Sequence, residues 1–237
     1  MHPDRIAELL TPYLNPCHSE PARSGGEACP ERSRREPAVP PHLRLQDIST
    51  YIDILLRWNA RINLTAIRDP EHIVTRHFGE SLFAARHLFP NFSASSASSA
   101  VKGVDVADLG SGSGFPGLPI KLWAPEISLT LIESNHKKAT FLREVARALT
   151  LTDINIQNVR AESLPPAQFD VVTLRAVERF AEALPASARL VVPTGRLALL
   201  ISQTQIPQAR ATLRNWSWSD PVRIPNSTSR VLLLGNL

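Results

Sequence analysis

At 237 residues the chain has room for one large domain, or one domain with an appendage. Its 43% hydrophobic and 20% charged residues suit a soluble globular protein, and no apolar run reaches the roughly 18 residues a membrane span needs. The net charge of +4 and pI of about 9.5 permit a nucleic-acid partner without selecting one. The amino end lacks a basic start followed by a long apolar core, so no secretory signal is expected and the cytoplasm is the expected compartment. Cys17 and Cys29 have neither a CxxC spacing nor a nearby histidine cluster, so no metal site is expected.

The first element is an amphipathic helix over residues 3–14, with Ile6, Leu9, Leu10 and Tyr13 on one face. Residues 15–41 then turn rich in Pro, Gly, Ser, Arg and Glu. With so few aliphatic side chains they read as a flexible insertion. From Leu43 the helical pattern returns, with Ile48, Tyr51, Ile52, Leu55, Leu56 and Trp58 on a broad apolar face that ends between Asn59 and Asn63. Asp69-Pro70 pairs an N-cap with a proline at the first helical position, which predicts a third helix running to Leu88. Residues 91–103 are a low-complexity loop.

Beyond that loop strands and helices alternate. Strands are expected at 104–109, 128–133, 154–159, 169–174 and 196–202, with helices at 117–124, 136–149 and from Glu178. Residues 221–224 and 230–234 read as a terminal strand pair. This rhythm predicts an α/β fold with a doubly wound, mostly parallel sheet and an antiparallel last strand, preceded by amino-terminal helices. The expected division is a helical region over 1–100 and a ligand-binding domain over 101–237.

The first of these strands runs directly into DLGSGSGFPG, residues 108–117. Glycines there let a ligand approach the backbone and open the next helix toward it. The string has two readings. Gly112 to Gly117 spells GxGxxG, the dinucleotide fingerprint of a nicotinamide-dependent oxidoreductase. Asp108 with Gly110, Gly112 and Gly114 instead resembles the acidic-x-GxGxG loop of class I methyltransferases. An acid at the strand end repels a pyrophosphate and attracts a methionine ammonium, which favours S-adenosyl-L-methionine. Glu133 ends the next strand, where a carboxylate binds ribose hydroxyls of either cofactor. Ala161 and Glu162 follow the third strand, where a loop would edge an adenine. Without a cysteine outside the insertion, cytosine C5 methylation is disfavoured. In place of the Asn-Pro-Pro-Tyr motif of exocyclic-amine methyltransferases, the fourth strand ends Leu174-Arg175-Ala176-Val177. A ring nitrogen needs no general base, and the lack of an obvious acid–base pair is consistent with one.

The stretches WNARINLTAIRDPEHIVTRHFGES, DLGSGSGFPGLPIKLWAPE, LIESNHKKATFLREVARALTL and FDVVTLRAV together resemble the RsmG (GidB) family over most of residues 43–203. These are bacterial methyltransferases acting on guanine N7 of 16S ribosomal RNA. The resemblance implies a Rossmann-like class I fold, S-adenosyl-L-methionine as cofactor, and 16S ribosomal RNA or the small ribosomal subunit as partner, with a monomer expected. It implies that Gly110 and Phe115 contact the cofactor, that Ala161 and Glu162 flank its adenine, and that Arg175 lies at the junction of cofactor and target guanine. From chemistry alone, an arginine there can donate to guanine O6 or a phosphate, or pair with Asp170 or Glu178. Asn63, Arg68, Arg76 and His77 sit in the amino-terminal signature and face RNA in one reading. In the other, Asn63 caps a helix and His77 is a buried, satisfied histidine. Lys137 and Lys138 open a helix, as phosphate contacts or solvated side chains. The chain departs from the family at Ile201 and Ser202, where a Lys-Gly pair is usual, in its apolar end VLLLGNL, and in residues 15–41.

Overall fold

The computed structural model describes residues 1–15, 39–40, 42–90, 103–176 and 179–237. The expected insertion over 15–41, both cysteines included, therefore lies outside the described residues apart from Asn15, Val39 and Pro40. So does the loop expected over 91–103, apart from Gly103. Val39 is already buried in the core, so packed chain resumes two residues before the expected boundary.

The amino-terminal helices are α1 (Pro3–Leu14), α2 (Leu45–Asn59), α3 (Pro70–Ile73) and α4 (Glu80–Leu88). Asp69 caps α3 as predicted, its Oδ1 accepting from the His72 N–H at 2.8 Å. The single third helix expected from Pro70 to Leu88 is interrupted. Val74–Gly79 is wound as a π-helix between α3 and α4. Gly79 is required inside it, because a Cβ there would stand 2.6 Å from the Tyr13 ring of α1. The turn sends His77 and Glu80 inward.

The strands are β1 (Asp105–Leu109), β2 (Ser128–Ile132), β3 (Ile154–Gln157), β4 (Phe169–Arg175), β5 (Val191–Ser202), β6 (Ser217–Trp218), β7 (Val222–Arg223) and β8 (Arg230–Asn236). The helices between them are α5 (Gly117–Trp123), α6 (His136–Ala148), α7 (Phe180–Leu190) and α8 (Ile206–Thr212). The sheet order is β3-β2-β1-β4-β5-β8-β6, with β7 also pairing β8. β1 through β5 are parallel, and β8 runs antiparallel to β5, β6 and β7. The doubly wound sheet and its antiparallel last strand are as predicted.

Side chains alternate between two cores with the strand period of two. On β5, Ala198 and Leu200 join α1, α2, α4, α5 and α6 on one face. Leu197, Leu199 and Ile201 join α7 and α8 on the other. The amino-terminal helices thus share one continuous core with the sheet. The apolar end VLLLGNL is explained as well: it is β8, an interior strand buried on both faces. Ile201 is likewise a core residue, opposite Val231.

Three boundaries differ from expectation. β5 begins at Val191 rather than Arg196, and β3 stops at Gln157. α7 starts at Phe180, with Glu178 outside the described residues. α8 and β6 were not foreseen.

Candidate cofactor and target site

The strand order reverses direction between β1 and β4, the place where ligands bind in such sheets. The loop after β1 sits at that switch point. Gly110, Gly112 and Gly114 have φ of 69°, 53° and 83°, a left-handed conformation that costs side-chain-bearing residues energy and glycine none. The loop is tied at three points. Ser111 donates its hydroxyl to the Asp108 carbonyl at 2.8 Å. The Tyr51 hydroxyl, from α2, donates to the Ser113 carbonyl at 2.6 Å. The Gly112 N–H donates to Glu133 Oε2 at 2.9 Å.

Glu133 lies just past β2 and is buried. Its Oε1 accepts from the Asn135 N–H at 2.7 Å, so one carboxylate joins the glycine loop to the start of α6. A carboxylate has about four acceptor positions. Two remain for a diol.

Asp108 is placed differently from the simple expectation of an acid facing a ligand. It is 1% exposed and sealed beneath the loop. Oδ1 accepts from the Thr173 hydroxyl at 2.7 Å and Oδ2 from the Gly117 N–H at 3.2 Å. Burial pushes its carboxyl up to about 6, against these hydrogen bonds. Asp108 clamps β1, β4 and the first turn of α5 together.

Phe115 is also buried. Its ring stacks on Tyr51 at 5.2 Å and on His77 at 4.7 Å, and meets the edge of Phe78 at 5.0 Å. The loop is thereby fastened to the amino-terminal helices. Ala161 and Glu162 form a short 3-10 turn after β3, whose carbonyls accept from Arg189 at 3.0 and 3.2 Å. Ala161 is buried and Glu162 exposed.

Arg175 ends β4 and is 9% exposed. It does not pair with Asp170, one of the two acids weighed for it. Asp170 instead accepts from the Asp105 N–H at 2.9 Å, and Glu178 is outside the described residues. Arg175 Nη2 donates to the Arg76 carbonyl at 2.6 Å, to His77 Nδ1 at 3.1 Å and to Glu80 Oε2 at 3.1 Å. Burial lowers the Arg175 guanidinium to about 10, where it stays charged at neutral pH. Burial, helped by Arg175, Arg230 and Arg76, pushes His77 down to about 3. His77 is therefore neutral. Because Nδ1 accepts from Arg175, Nε2 carries the proton and donates to Thr65 Oγ1 at 2.9 Å.

Sequence reasoning missed Tyr51, Thr173 and Glu80 as site residues. Tyr51 looked like one more apolar-face residue, and the contact of Glu80 with Arg175 spans 95 positions. The loop after α2 is held by Asn59 rather than Asn63. Asn59 Oδ1 accepts from the Leu64 and Thr65 N–H groups at 2.9 and 3.1 Å, while Asn63 is exposed. Lys137 and Lys138 lend Asn135 their N–H groups as a cap. Among the described residues no cluster of metal-ligating side chains occurs, and no helix is long and apolar enough to cross a membrane.

Residues 44–228 match the family model GidB, rRNA small subunit methyltransferase G. The chain belongs to this family. It is 35% identical over 178 residues to the ribosomal RNA small subunit methyltransferase G of Xanthomonas campestris pv. campestris strain B100, covering 74% of this chain and 78% of that one. To the protein of the same name from Halorhodospira halophila it is 39% identical, over 66% and 68% of the two chains. Among solved structures the fold is similar to a ribosomal protein L11 methylase from Lactobacillus delbrueckii subsp. bulgaricus. That match has a TM-score of 0.53 at 18% identity, over 68% of this chain and 78% of the other. A SAM-dependent methyltransferase from Aquifex aeolicus matches at 0.50 and 16%, over 70% and 93%. GidB membership settles the reading of the glycine string in favour of S-adenosyl-L-methionine and against a nicotinamide. The residues fit that cofactor: three left-handed glycines expose backbone, and Glu133 keeps acceptor positions for a ribose.

Proposed function

We propose that this protein transfers a methyl group from S-adenosyl-L-methionine to N7 of a guanine in 16S ribosomal RNA. In this reading the backbone of Gly110, Gly112 and Gly114 borders the methionine end of the cofactor, and Asp108 fixes the loop and adds negative potential beneath it. Phe115 packs behind the loop. Glu133 takes the ribose hydroxyls, and Ala161 and Glu162 border the adenine. Residues 101–237 form the cofactor-binding methyltransferase domain, preceded by the helical region over 1–100. The chain is read as a monomer working in the cytoplasm.

When bound, the cofactor supplies an electrophilic methyl carbon on a sulfonium. The N7 lone pair is free at neutral pH and loses no proton on attack, so the protein has only to bind, orient and exclude water. One observation carries the choice of a ring nitrogen. Asp108 has both oxygens hydrogen-bonded, neutral His77 has both ring nitrogens occupied, and the acceptor positions left on Glu133 are assigned to the ribose. An exocyclic amine or hydroxyl would call for a base there; N7 does not. Arg175, beside the carboxyl end of β4, contributes positive potential that favours guanine O6.

Mass spectrometry of nucleosides from the 16S RNA of a strain lacking the gene tests this. The reading expects N7-methylguanine to drop by one residue per RNA and to return on complementation. Undiminished N7-methylguanine rejects it.

A further inference from the structure

A cavity of about 600 Å³ lies between α1, the segment leading into α3, the π-helical stretch and the β7–β8 turn. Its walls include Tyr13, Arg68, Asp69, Thr75, Arg76 and Asn226. Asn226 holds the β7–β8 turn with φ of 54°, a left-handed conformation asparagine tolerates better than most residues.

The charge around this cavity is unbalanced. Behind Arg76 the carboxylate of Glu80, 1% exposed, faces three guanidinium groups: Arg76 at 3.0 Å, Arg175 at 3.1 Å and Arg230 at 3.1 Å. His77 beside them is neutral, so the three guanidinium groups outnumber the Glu80 carboxylate they share. The buried Nε of Arg175 has no hydrogen-bond partner, while that of Arg230 is the atom 3.1 Å from the Glu80 carboxylate. On the cavity wall Arg68 is exposed and makes no ion pair among the described residues. Asp69, the acid of the wall, is turned to its own helix end at His72. An exposed arginine without an ion pair on the wall, next to an arginine that shares one carboxylate with two others, favours an anion in the cavity.

We propose that this cavity seats a backbone phosphate of the RNA, beside the target nucleotide, gripped by Arg68 and Arg76. Guanidinium forks match the paired oxygens of a phosphodiester, and the volume accommodates a nucleotide-sized group. Place selects RNA over a free anion. The Arg76 carbonyl holds Arg175, which ends β4 at the switch point, so a chain reaching the methyl donor from this side passes the cavity. Phosphate contacts of this kind set the register of a nucleic acid without reading its sequence. The assignment rests on the RNA substrate proposed above.

The test compares the full chain with Arg68→Ala, Arg68→Lys and Arg76→Ala, using 16S ribosomal RNA at several salt concentrations. Arg68→Ala is expected to weaken RNA binding roughly five- to tenfold and to flatten the slope of log affinity against log salt by about 0.7–0.9, as for one lost phosphate contact. Arg68→Lys keeps the wild-type slope, and all three variants keep the wild-type affinity for S-adenosyl-L-methionine. If Arg68→Ala and Arg76→Ala both bind RNA with wild-type affinity and slope while wild type methylates it, the cavity is not the phosphate site and the RNA reading stands. If wild type neither binds nor methylates 16S RNA, the substrate reading fails and the site falls with it.

Discussion

Arg175 Nη2 stands 3.1 Å from His77 Nδ1, and the other face of that imidazole's surroundings is the Phe115 ring, 4.7 Å away and nearly parallel. The pair joins the end of β4 to the glycine loop through a residue of the amino-terminal helices. A neutral histidine is what allows it: a protonated ring would offer Arg175 a second donor in place of an acceptor.

Arg175→Ala is therefore expected to lower the transfer rate roughly a hundredfold or more while the protein still binds S-adenosyl-L-methionine. Arg175→Lys is expected to fail almost as badly, since three acceptors converge on one planar guanidinium nitrogen. Stability is expected to fall by about 1–3 kcal/mol for the acceptors left unpaired. Single-turnover transfer together with calorimetric cofactor binding checks both. An undiminished rate at saturating cofactor and RNA contradicts the role.

The acid sensitivity of the fold is expected to come largely from His77. Its folded value, about 3, lies below the ordinary 6.5, so the unfolded chain takes up the proton first. The stability His77 contributes is present above pH 6.5 and is lost as pH falls from there toward 3. Asp108 works in the opposite sense: with a folded value near 6 against 3.8, it favours the folded state as pH drops from 6 to 4. In His77→Gln the acid loss is expected to shrink, leaving the Asp108 contribution. Urea unfolding midpoints from pH 7.5 to 4.5 measure it, and an unchanged slope in the variant refutes the assignment.

Gly114→Ala is expected to be more damaging than an alanine usually is. Its φ is 83°, and a Cβ there would run into the Tyr51 hydroxyl and the Leu118 side chain. The left-handed strain alone costs about 1–3 kcal/mol. A lowered melting temperature and lost cofactor binding are the expected outcomes. Wild-type values for both would show that the loop has slack the geometry denies.

Glu133→Gln keeps the shape and removes the charge. Gly112 and Asn135 N–H groups both donate to Glu133, and the amide has only one oxygen to answer them. Affinity for S-adenosyl-L-methionine is expected to fall roughly tenfold or more, with kcat less affected. Isothermal titration and a KM-against-kcat comparison read it directly.

The alternation of strands and helices was legible because the sheet interior demands near-continuous apolar runs, and β1, β2 and β4 supply them. The start of β5 was hidden by Pro193 and Gly195, which look like a turn but sit inside the strand. α8 buries a single residue, Ala209, and β6 is two residues long, too little for any periodic pattern. Asp108, the glycines and Glu133 were visible as a motif. Their sealing was not, because it depends on Thr173 and Tyr51 arriving from other strands and helices. Arg175 was singled out from sequence, but its partner Glu80 could not be. The π-helical stretch before Glu80 packs its Gly79 against the Tyr13 ring of α1, a contact no local sequence pattern displays.

The central claim is methyl transfer to a guanine ring nitrogen, with no base supplied by the protein. Purified protein incubated with 16S RNA lacking the modification and isotope-labelled S-adenosyl-L-methionine tests it most directly, with the labelled nucleoside identified by mass spectrometry. The account predicts a single label, carried as N7-methylguanine. Label on another atom, or none on RNA at saturating cofactor, contradicts it.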